Sequence, residues 1–205
     1  LSGEHAPGEQ SPQRALDAAH HLLLGHGLAT QRLRSLDASL DLGITLNMTV
    51  ADPVDPHDPA DLDAARRIDA QHNRLFLDPI FRGAYPADLE ADLAARGLRL
   101  PVQEGDLAAI ATPIDALGVN YYHGDAVSAH PPAAAPLSSA APSERPKLSP
   151  FPAGDGIFTH PRGLPVTAMG WEVQPEGLTR LLRRIDEEYA RPAGVVLYVT
   201  ENGAA

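Results

Sequence analysis

The sequence contains no cysteine, so it excludes disulfide bonds and thiolate metal sites. Aromatic residues are also few, and Trp171 is the only tryptophan. No apolar run approaches the ~20 residues that a membrane-spanning helix needs, so no membrane partner is expected. The first residues lack the basic and apolar regions of a signal peptide. Together with the absence of cysteine, this favours a cytoplasmic location.

Positive charge is scarce as well. The chain has 16 Lys and Arg residues against 27 Asp and Glu residues, which gives a formal net charge of -11. Nucleic acids are polyanions, so this balance argues against a nucleic-acid partner. The sequence has neither a glycine-rich phosphate loop nor a His-Glu-x-x-His motif, and no metal site is predicted.

Helical and strand patterns alternate along the chain. Helix starts are indicated by serine or aspartate before proline, or by proline alone, at Ser11-Pro12, Asp58-Pro59 and Pro175. Gly25 and Gly27 are predicted to end the first helix. Apolar runs predict strands at residues 41–48, 114–122 and 195–200. The last run is typical of a strand buried on both faces. This alternation indicates βαβ units around a parallel sheet.

The segment from Gly124 to Pro165 interrupts the alternation. It holds nine of the 20 prolines, and alanine and serine fill most of the gaps between them. Loops of this length inside a compact domain are usually functional or disordered. We interpret residues 124–165 as a Pro/Ala-rich βα loop forming a partly mobile wall of a substrate entrance. Within it, residues 129–145 are more typical of a solvated linker.

The last predicted strand leads directly into Thr200-Glu201-Asn202-Gly203. Barrel enzymes hold catalytic groups at the carboxyl ends of their strands, so Glu201 is a candidate catalytic carboxylate. A structural interpretation is equally consistent with this spacing. In it, Glu201 caps a turn for which Gly203 supplies the positive φ.

Seven sequence blocks resemble, in order, those of family 1 glycoside hydrolases, the family of β-glucosidases. The blocks lie at residues 5–8, 18–27, 43–47, 73–81, 117–122, 170–173 and 200–204. Each block alone is a weak signal, but they recur in order along almost the whole chain. The sequence is therefore identified as a member of this family.

The resemblance implies an α/β fold that is part of a (β/α)8 TIM barrel. A complete barrel needs ~250 residues, so residues 1–205 are expected to form a single partial barrel domain with about three of the eight βα units. The family's Asn-Glu-Pro motif, which carries the acid/base glutamate, does not occur in the chain, and Glu4 does not match it. The last strand of the family is expected to follow Ala205.

The resemblance also implies roles for individual residues. Glu201 matches the nucleophile of a retaining glycosidase, and Tyr122 matches the tyrosine that donates a hydrogen bond to this carboxylate. Trp171 matches a tryptophan that walls the leaving-group subsite. Other matched substrate-binding positions are Asn120, Asn47 and His5. For Tyr122 and Trp171 the alternative is a packed side chain without a catalytic role.

Other polar residues are interpreted as structural. His20 is expected in the core, and Asn73-Arg74 is expected to form a polar cluster at a helix end. Glu172 is expected to be solvated beside the helix that begins at Pro175.

The expected function is that of a retaining β-glucosidase, which removes terminal β-D-glucosyl residues through a glycosyl-enzyme intermediate. The resemblance implies small β-glucosides or short oligosaccharides as substrates and no metal or organic cofactor. Two alternatives are a catalytically incompetent fragment and a sugar-binding relative without activity. Retention of Glu201 and Tyr122 argues against the second alternative. The oligomeric state cannot be predicted from the sequence.

Overall fold

The computed structural model describes residues 8–131 and 151–203. In chain order, the helices and strands of these residues are α1 (Pro12–Leu36), β1 (Gly43–Met48), β2 (Ala51–Pro53), α2 (Pro59–Asp69), α3 (Leu75–Arg82), α4 (Ala87–Ala94), α5 (Asp106–Ile110), β3 (Ala116–Tyr121), β4 (Asp125–Ser128), β5 (Phe158–His160), α6 (Pro175–Ile185), α7 (Arg191–Ala193) and β6 (Val196–Asn202). Two π-helical segments, Ala70–Arg74 and Asp186–Ala190, continue α2 and α6. None of the described helices has the length and apolar character that crossing a bilayer requires.

The main sheet contains β1, β3 and β6, all parallel, with β3 in the centre. One face of this sheet carries buried side chains such as Leu117 and Val119, which belong to the core shared with the helices. The opposite face carries small and polar residues, and Gly118 lies there against Thr45 and Thr200. The predicted α/β alternation around a parallel sheet is therefore confirmed.

A second sheet occupies part of the segment that was predicted as a loop. In it β4 pairs with β2 in parallel and with β5 in antiparallel orientation. Both β4 and β5 lie between residues 124 and 165, so the described part of this segment contains regular structure. Strands β4 and β5 are only four and three residues long. Strands this short gave no recognisable pattern among the prolines and alanines of the segment. Residues 132–150, which include most of the predicted linker, lie outside the described residues.

The prediction that the last strand is buried on both faces is wrong. β6 is an edge strand, and Val196 and Val199 are 54% and 48% exposed. In the described part of the chain β3 is its only strand neighbour. An apolar run shows which environment suits a strand, whereas its exposure depends on which other elements cover it.

The first helix begins as predicted but does not end at the predicted glycines. The Ser11 hydroxyl accepts a hydrogen bond from the Arg14 amide, and Pro12 is the first helical residue. The helix continues through Gly25 and Gly27 to Leu36. Gly27 is buried where α5 crosses α1, and a Cβ there would overlap the carbonyl group of Ala109. Gly27 therefore allows the two helices to pack closely and does not end α1.

This contact predicts opposite effects for two alanine substitutions in the same helix. Gly27→Ala should lower the free energy of unfolding by about 1–3 kcal/mol, because the new methyl group meets backbone atoms of α5. A Cβ at Gly25 would have open space around it. Gly25→Ala should therefore raise the free energy of unfolding by up to about 1 kcal/mol, because alanine has the higher helix propensity. Urea denaturation of the 205-residue chain measures both values. Equal effects for the two variants would contradict the packing role.

The predicted polar cluster at residues 73–74 is confirmed and holds the carboxyl end of β1. The Asn73 side-chain oxygen accepts from the Thr49 amide at 3.1 Å, and its NH2 group donates to the Thr49 carbonyl at 2.9 Å. Arg74 forms ion pairs with Asp69 and Asp88. His20 is also buried as predicted, between the Tyr85 hydroxyl and a carboxylate. These contacts fix the helices relative to the strand end from which the candidate site is built.

Candidate active site

Three of the predicted site residues lie side by side at the carboxyl edge of the main sheet. Asn47 on β1 is in register with Asn120 on β3, and Asn120 is in register with Glu201 on β6. The pairing shifts just before this row, because Val119 pairs with Val199 and leaves Thr200 as an extra residue. Bulges of this kind often re-aim a side chain beside an active site. The row brings two amides and a carboxylate to one edge.

Glu201 accepts a hydrogen bond from the hydroxyl of Tyr122. Tyr122 follows directly after β3, and Glu201 lies on the adjacent β6, so the parallel pairing of these strands brings the two side chains together. The hydrogen bond to the carboxylate raises the pKa of Tyr122, and burial and the charge of Glu201 act in the same direction. Tyr122 is therefore a protonated hydrogen-bond donor at neutral pH.

Two further hydrogen bonds fix the end of β6 against β3. The Thr200 hydroxyl donates to the Asn120 side-chain oxygen at 2.6 Å, and the Asn202 side chain donates to the Tyr121 carbonyl at 2.9 Å. Tyr121 itself is buried, and its hydroxyl donates to the Gln174 carbonyl at the start of α6. The two neighbouring tyrosines thus have different roles, since Tyr121 anchors the start of α6 whereas Tyr122 binds the Glu201 carboxylate.

Trp171 lies against Tyr122, the residue that binds Glu201. Its ring centroid is 5.5 Å from that of Tyr122 and 5.4 Å from that of His123. A short turn holds the indole in place, because the Thr167 amide donates to the Trp171 carbonyl at 2.9 Å. The indole is half-buried, so part of the ring remains accessible.

The prediction that Glu172 is solvated is wrong. Its carboxylate is 14% exposed and accepts a hydrogen bond from the Arg162 amide at 2.6 Å. A second backbone amide, that of Leu164, donates to the same oxygen. The helix pattern after Pro175 could not show this, because the partners of Glu172 lie in the preceding segment. Glu172 closes the turn that carries Trp171.

Sequence reasoning missed a charged cluster centred on Asp52. This carboxylate binds Arg180 through both oxygens at 2.8 Å and Arg162 at 3.0 Å, and it accepts from Gln174 at 3.2 Å. Burial raises the pKa of Asp52, but hydrogen bonds from Arg180 and Gln174 and the charges of the two arginines outweigh it, and the net shift is downward. The arginines are 110 and 128 positions away, so no local pattern could have found the cluster.

The remaining predicted site residues are Asn47 and His5. Asn47 is exposed and lines an apolar cavity of about 370 Å³ together with His72 and Phe76. It shares the row at the sheet edge but forms no described contact with Glu201 or Tyr122. His5 lies outside the described residues, so its role stays a prediction.

One other grouping has the composition of a metal site. Potential ligand atoms of Asp58, Asp61 and His130 lie within 4.8 Å of one another. All four carboxylate oxygens already accept hydrogen bonds, from the Ser128 hydroxyl, the His130 ring and three backbone amides. This arrangement joins the start of α2 to the end of β4, and its acceptors are occupied by protein donors.

The site has a carboxylate bonded to a tyrosine, beside an indole, at the carboxyl edge of a parallel sheet. This arrangement agrees with the comparison with known families. The sequence model of glycosyl hydrolase family 1 matches residues 1–205. The chain belongs to this family. The resemblance described from the seven sequence blocks is thereby confirmed.

Several of the similar relatives are β-glucosidases by name. The bifunctional β-D-glucosidase/β-D-fucosidase of Bifidobacterium breve is 37% identical over 206 residues, which cover 98% of this chain and 40% of that protein. Thermostable β-glucosidase B of Thermobispora bispora is 41% identical over 201 residues, which cover 98% of this chain and 37% of that protein. The family to which this chain belongs is thus one of hydrolases that act as glycosidases.

Solved family 1 structures match the fold. The psychrophilic β-glucosidase BglU from Micrococcus antarcticus has a TM-score of 0.87 and 54% identity, over 98% of this chain and 42% of that one. The family 1 β-glucosidase from Thermotoga maritima has a TM-score of 0.76 and 34% identity, over 100% of this chain and 40% of that one. The fold is therefore an α/β fold consistent with part of the family's TIM barrel. The chain spans about two fifths of the length of these relatives.

Proposed function

We propose that the chain carries the nucleophile half of the active site of a retaining β-glucosidase. The observation that supports this most directly is the hydrogen bond from Tyr122 to Glu201 at the carboxyl ends of adjacent parallel strands. A nucleophilic carboxylate must be held in position, and a phenol donor supports this requirement. The 205 residues are, in this proposal, a single partial domain with about three of the eight βα units of the barrel.

The reaction needs a second carboxyl group. In retaining glycosidases it lies about 5–5.5 Å from the nucleophile. Glu201 attacks the anomeric carbon while this second group protonates the departing oxygen, which breaks the glycosidic bond and leaves a glucosyl ester on Glu201. The second group then removes a proton from water, which attacks the same carbon and releases glucose. The Asn-Glu-Pro motif that carries the acid/base glutamate of the family does not occur in the chain, so we assign the acid/base to residues outside this chain.

Substrates in this proposal are β-glucosides with small leaving groups and short oligosaccharides. In this proposal Asn120 binds sugar hydroxyls, which is supported by its register beside Glu201, and Asn47 lies one strand farther along the same row. Trp171 offers a flat apolar ring for the carbohydrate C–H face of the leaving group. Neither a metal nor an organic cofactor takes part. A cytoplasmic location remains part of the proposal, supported by the absence of cysteine.

Tyr122→Phe tests the carboxylate contact. The full-length enzyme, meaning these 205 residues together with the barrel segments they do not cover, should lose about 10- to 100-fold in kcat, because a hydrogen bond to a charged group is removed. Steady-state kinetics with 4-nitrophenyl β-glucoside measures the loss. Tyr85→Phe is a matched control, because it removes a buried hydroxyl bonded to His20. It should lower stability but leave kcat unchanged. An unchanged kcat in Tyr122→Phe would contradict the proposal.

A further inference from the structure

Thr200 and Glu201 are consecutive residues of β6, and their side chains reach the same face of the main sheet. Glu201 accepts from the Tyr122 hydroxyl, and the Thr200 hydroxyl donates to the Asn120 side-chain oxygen at 2.6 Å. Asn120 and Tyr122 are two positions apart at the end of β3, so their side chains share a face. Because consecutive residues of a regular strand point to opposite faces, the contacts of Thr200 and Glu201 depart from that alternation.

The register shift at the end of β6 explains this departure. Val119 pairs with Val199, but Asn120 pairs with Glu201, so Thr200 is an extra residue on β6. An extra residue in one strand disrupts the alternation and re-aims the side chains beside it. The shift thus adds a hydroxyl group to the site, directly before the candidate nucleophile.

Gly118 makes room for the Thr200 side chain. It lies two positions before Asn120 on β3, and a Cβ there would come within 2.9 Å of the Thr200 methyl group and 3.0 Å of its hydroxyl. The Thr45 hydroxyl on β1 would also overlap such a Cβ. The absence of a side chain at position 118 therefore lets the Thr200 hydroxyl reach the Asn120 amide.

The hydrogen bond between Thr200 and Asn120 fixes the two ends of the amide. An amide oxygen can only accept, so the Thr200 hydroxyl is the donor and its proton is used by Oδ1. The Nδ2 group, at the other end of the amide, carries two N–H donors and no acceptor. Held in this way, the end of Asn120 that is turned away from Thr200 is a donor.

We infer that Thr200 is a positioning residue, which holds the Asn120 amide through this hydrogen bond so that its NH2 group donates to a hydroxyl oxygen of the bound β-glucoside. This inference rests on the proposed function, in which Asn120 binds sugar hydroxyls beside Glu201. Asn120 makes the substrate contact, and Thr200 sets its orientation. Without the Thr200 hydroxyl the amide is free to turn, so the donor faces the substrate for only part of the time.

The experiment is a double-mutant cycle in the full-length enzyme, measured as kcat/KM for 4-nitrophenyl β-glucoside. Thr200→Val keeps the branched shape but removes the hydroxyl, and it should lower kcat/KM about 3- to 10-fold. Thr200→Ser keeps the hydroxyl and should stay within about twofold of the unmodified enzyme. Combined with Asn120→Ala, Thr200→Val should cause a further loss of less than about twofold, because the group that it positions is absent.

Thr112→Val is the matched control for the loss of a hydroxyl group. Thr112 follows α5, and its hydroxyl donates to the Ala109 carbonyl at 2.7 Å. This substitution removes a hydrogen bond of similar length away from the carboxyl edge of the sheet, so it should leave kcat/KM unchanged. Thermal unfolding of each variant shows that the compared proteins are folded.

The outcomes separate this inference from the proposed function. An unchanged kcat/KM in Thr200→Val, or the same loss with and without Asn120→Ala, would overturn the positioning role in an enzyme that hydrolyses the glucoside. An equal loss in Thr200→Ser would overturn it as well. If the unmodified enzyme does not hydrolyse the glucoside, the proposed function fails and this inference fails with it. If Thr200→Val does not fold, Thr200→Ala removes the same hydroxyl and completes the same cycle.

Discussion

Glu201→Gln should lower kcat for β-glucoside hydrolysis by at least about 10³-fold in the full-length enzyme. The amide has nearly the shape of the carboxylate but cannot form the glycosyl ester, so the step that breaks the glycosidic bond is lost. The thermal midpoint should not change, because Glu201 is exposed and its one described side-chain contact is the Tyr122 hydroxyl. Steady-state kinetics and thermal unfolding of the same preparation measure both properties.

Glu187→Gln is the matched control for this substitution. Glu187 is exposed in the π-helical segment after α6, and the same change of charge there should leave kcat and the thermal midpoint as they are. Turnover by Glu201→Gln within tenfold of the unmodified enzyme would contradict the assignment of the nucleophile.

Asp69→Asn should lower the free energy of unfolding of the 205-residue chain by about 3–5 kcal/mol. Asp69 lies at the end of α2, and both of its oxygens bind the Arg184 guanidinium, at 2.6 and 3.0 Å. It also accepts from Arg74 at 2.9 Å and from Asn73 at 2.8 Å. An asparagine can accept through only one atom, so at least one half-buried guanidinium N–H loses its partner. Urea denaturation at neutral pH measures the loss.

The pH dependence of stability gives Asp69→Asn a second test. Burial raises the pKa of Asp69, but Arg184, Asn73 and Arg74 outweigh it and hold the pKa below its ordinary value of 3.8. A lowered folded-state pKa means that the stabilisation is complete above the unfolded-state pKa and is lost as pH falls through the folded-state pKa. Stability of the unmodified chain should thus decrease below about pH 4, and that of Asp69→Asn should decrease less.

Asp186→Asn provides the comparison for Asp69. Asp186 pairs with Arg191, whose side chain is 68% exposed, so removing this charge should change stability little. If Asp69→Asn proves as mild as Asp186→Asn, then the cluster that joins α2 to α6 does not stabilise the fold.

Local signals in the sequence predicted the elements and the central pair of the site. Ser11 and Asp58 cap the helices that follow them, as their position before proline indicates. The strands of the main sheet lie within two residues of the predicted bounds, so Asn120 and Glu201 were correctly placed at strand ends. The motifs that resemble family 1 then singled out Tyr122, which does contact Glu201.

Features that depend on distant partners could not be predicted in this way. Gly27 was predicted to end α1 because the adjacent sequence does not show that α5 packs against the helix at this position. Asp52 carried no signal, since its arginine partners lie more than 100 positions away. The prediction for Glu172 was wrong because its backbone donors lie eight and ten positions before it, outside the helix pattern on which the prediction rested. Pairing over long separations is set by the assembled fold and leaves no periodic pattern.

The most direct test of the account traps the intermediate. The full-length enzyme is treated with a 2-fluoro β-glucoside, which forms the glycosyl-enzyme but slows its hydrolysis, and mass spectrometry locates the label. Labelling of Glu201, and its absence in Glu201→Gln, is the predicted result. A label on another residue, or none while the enzyme still hydrolyses β-glucosides, would contradict the claim that Glu201 is the nucleophile.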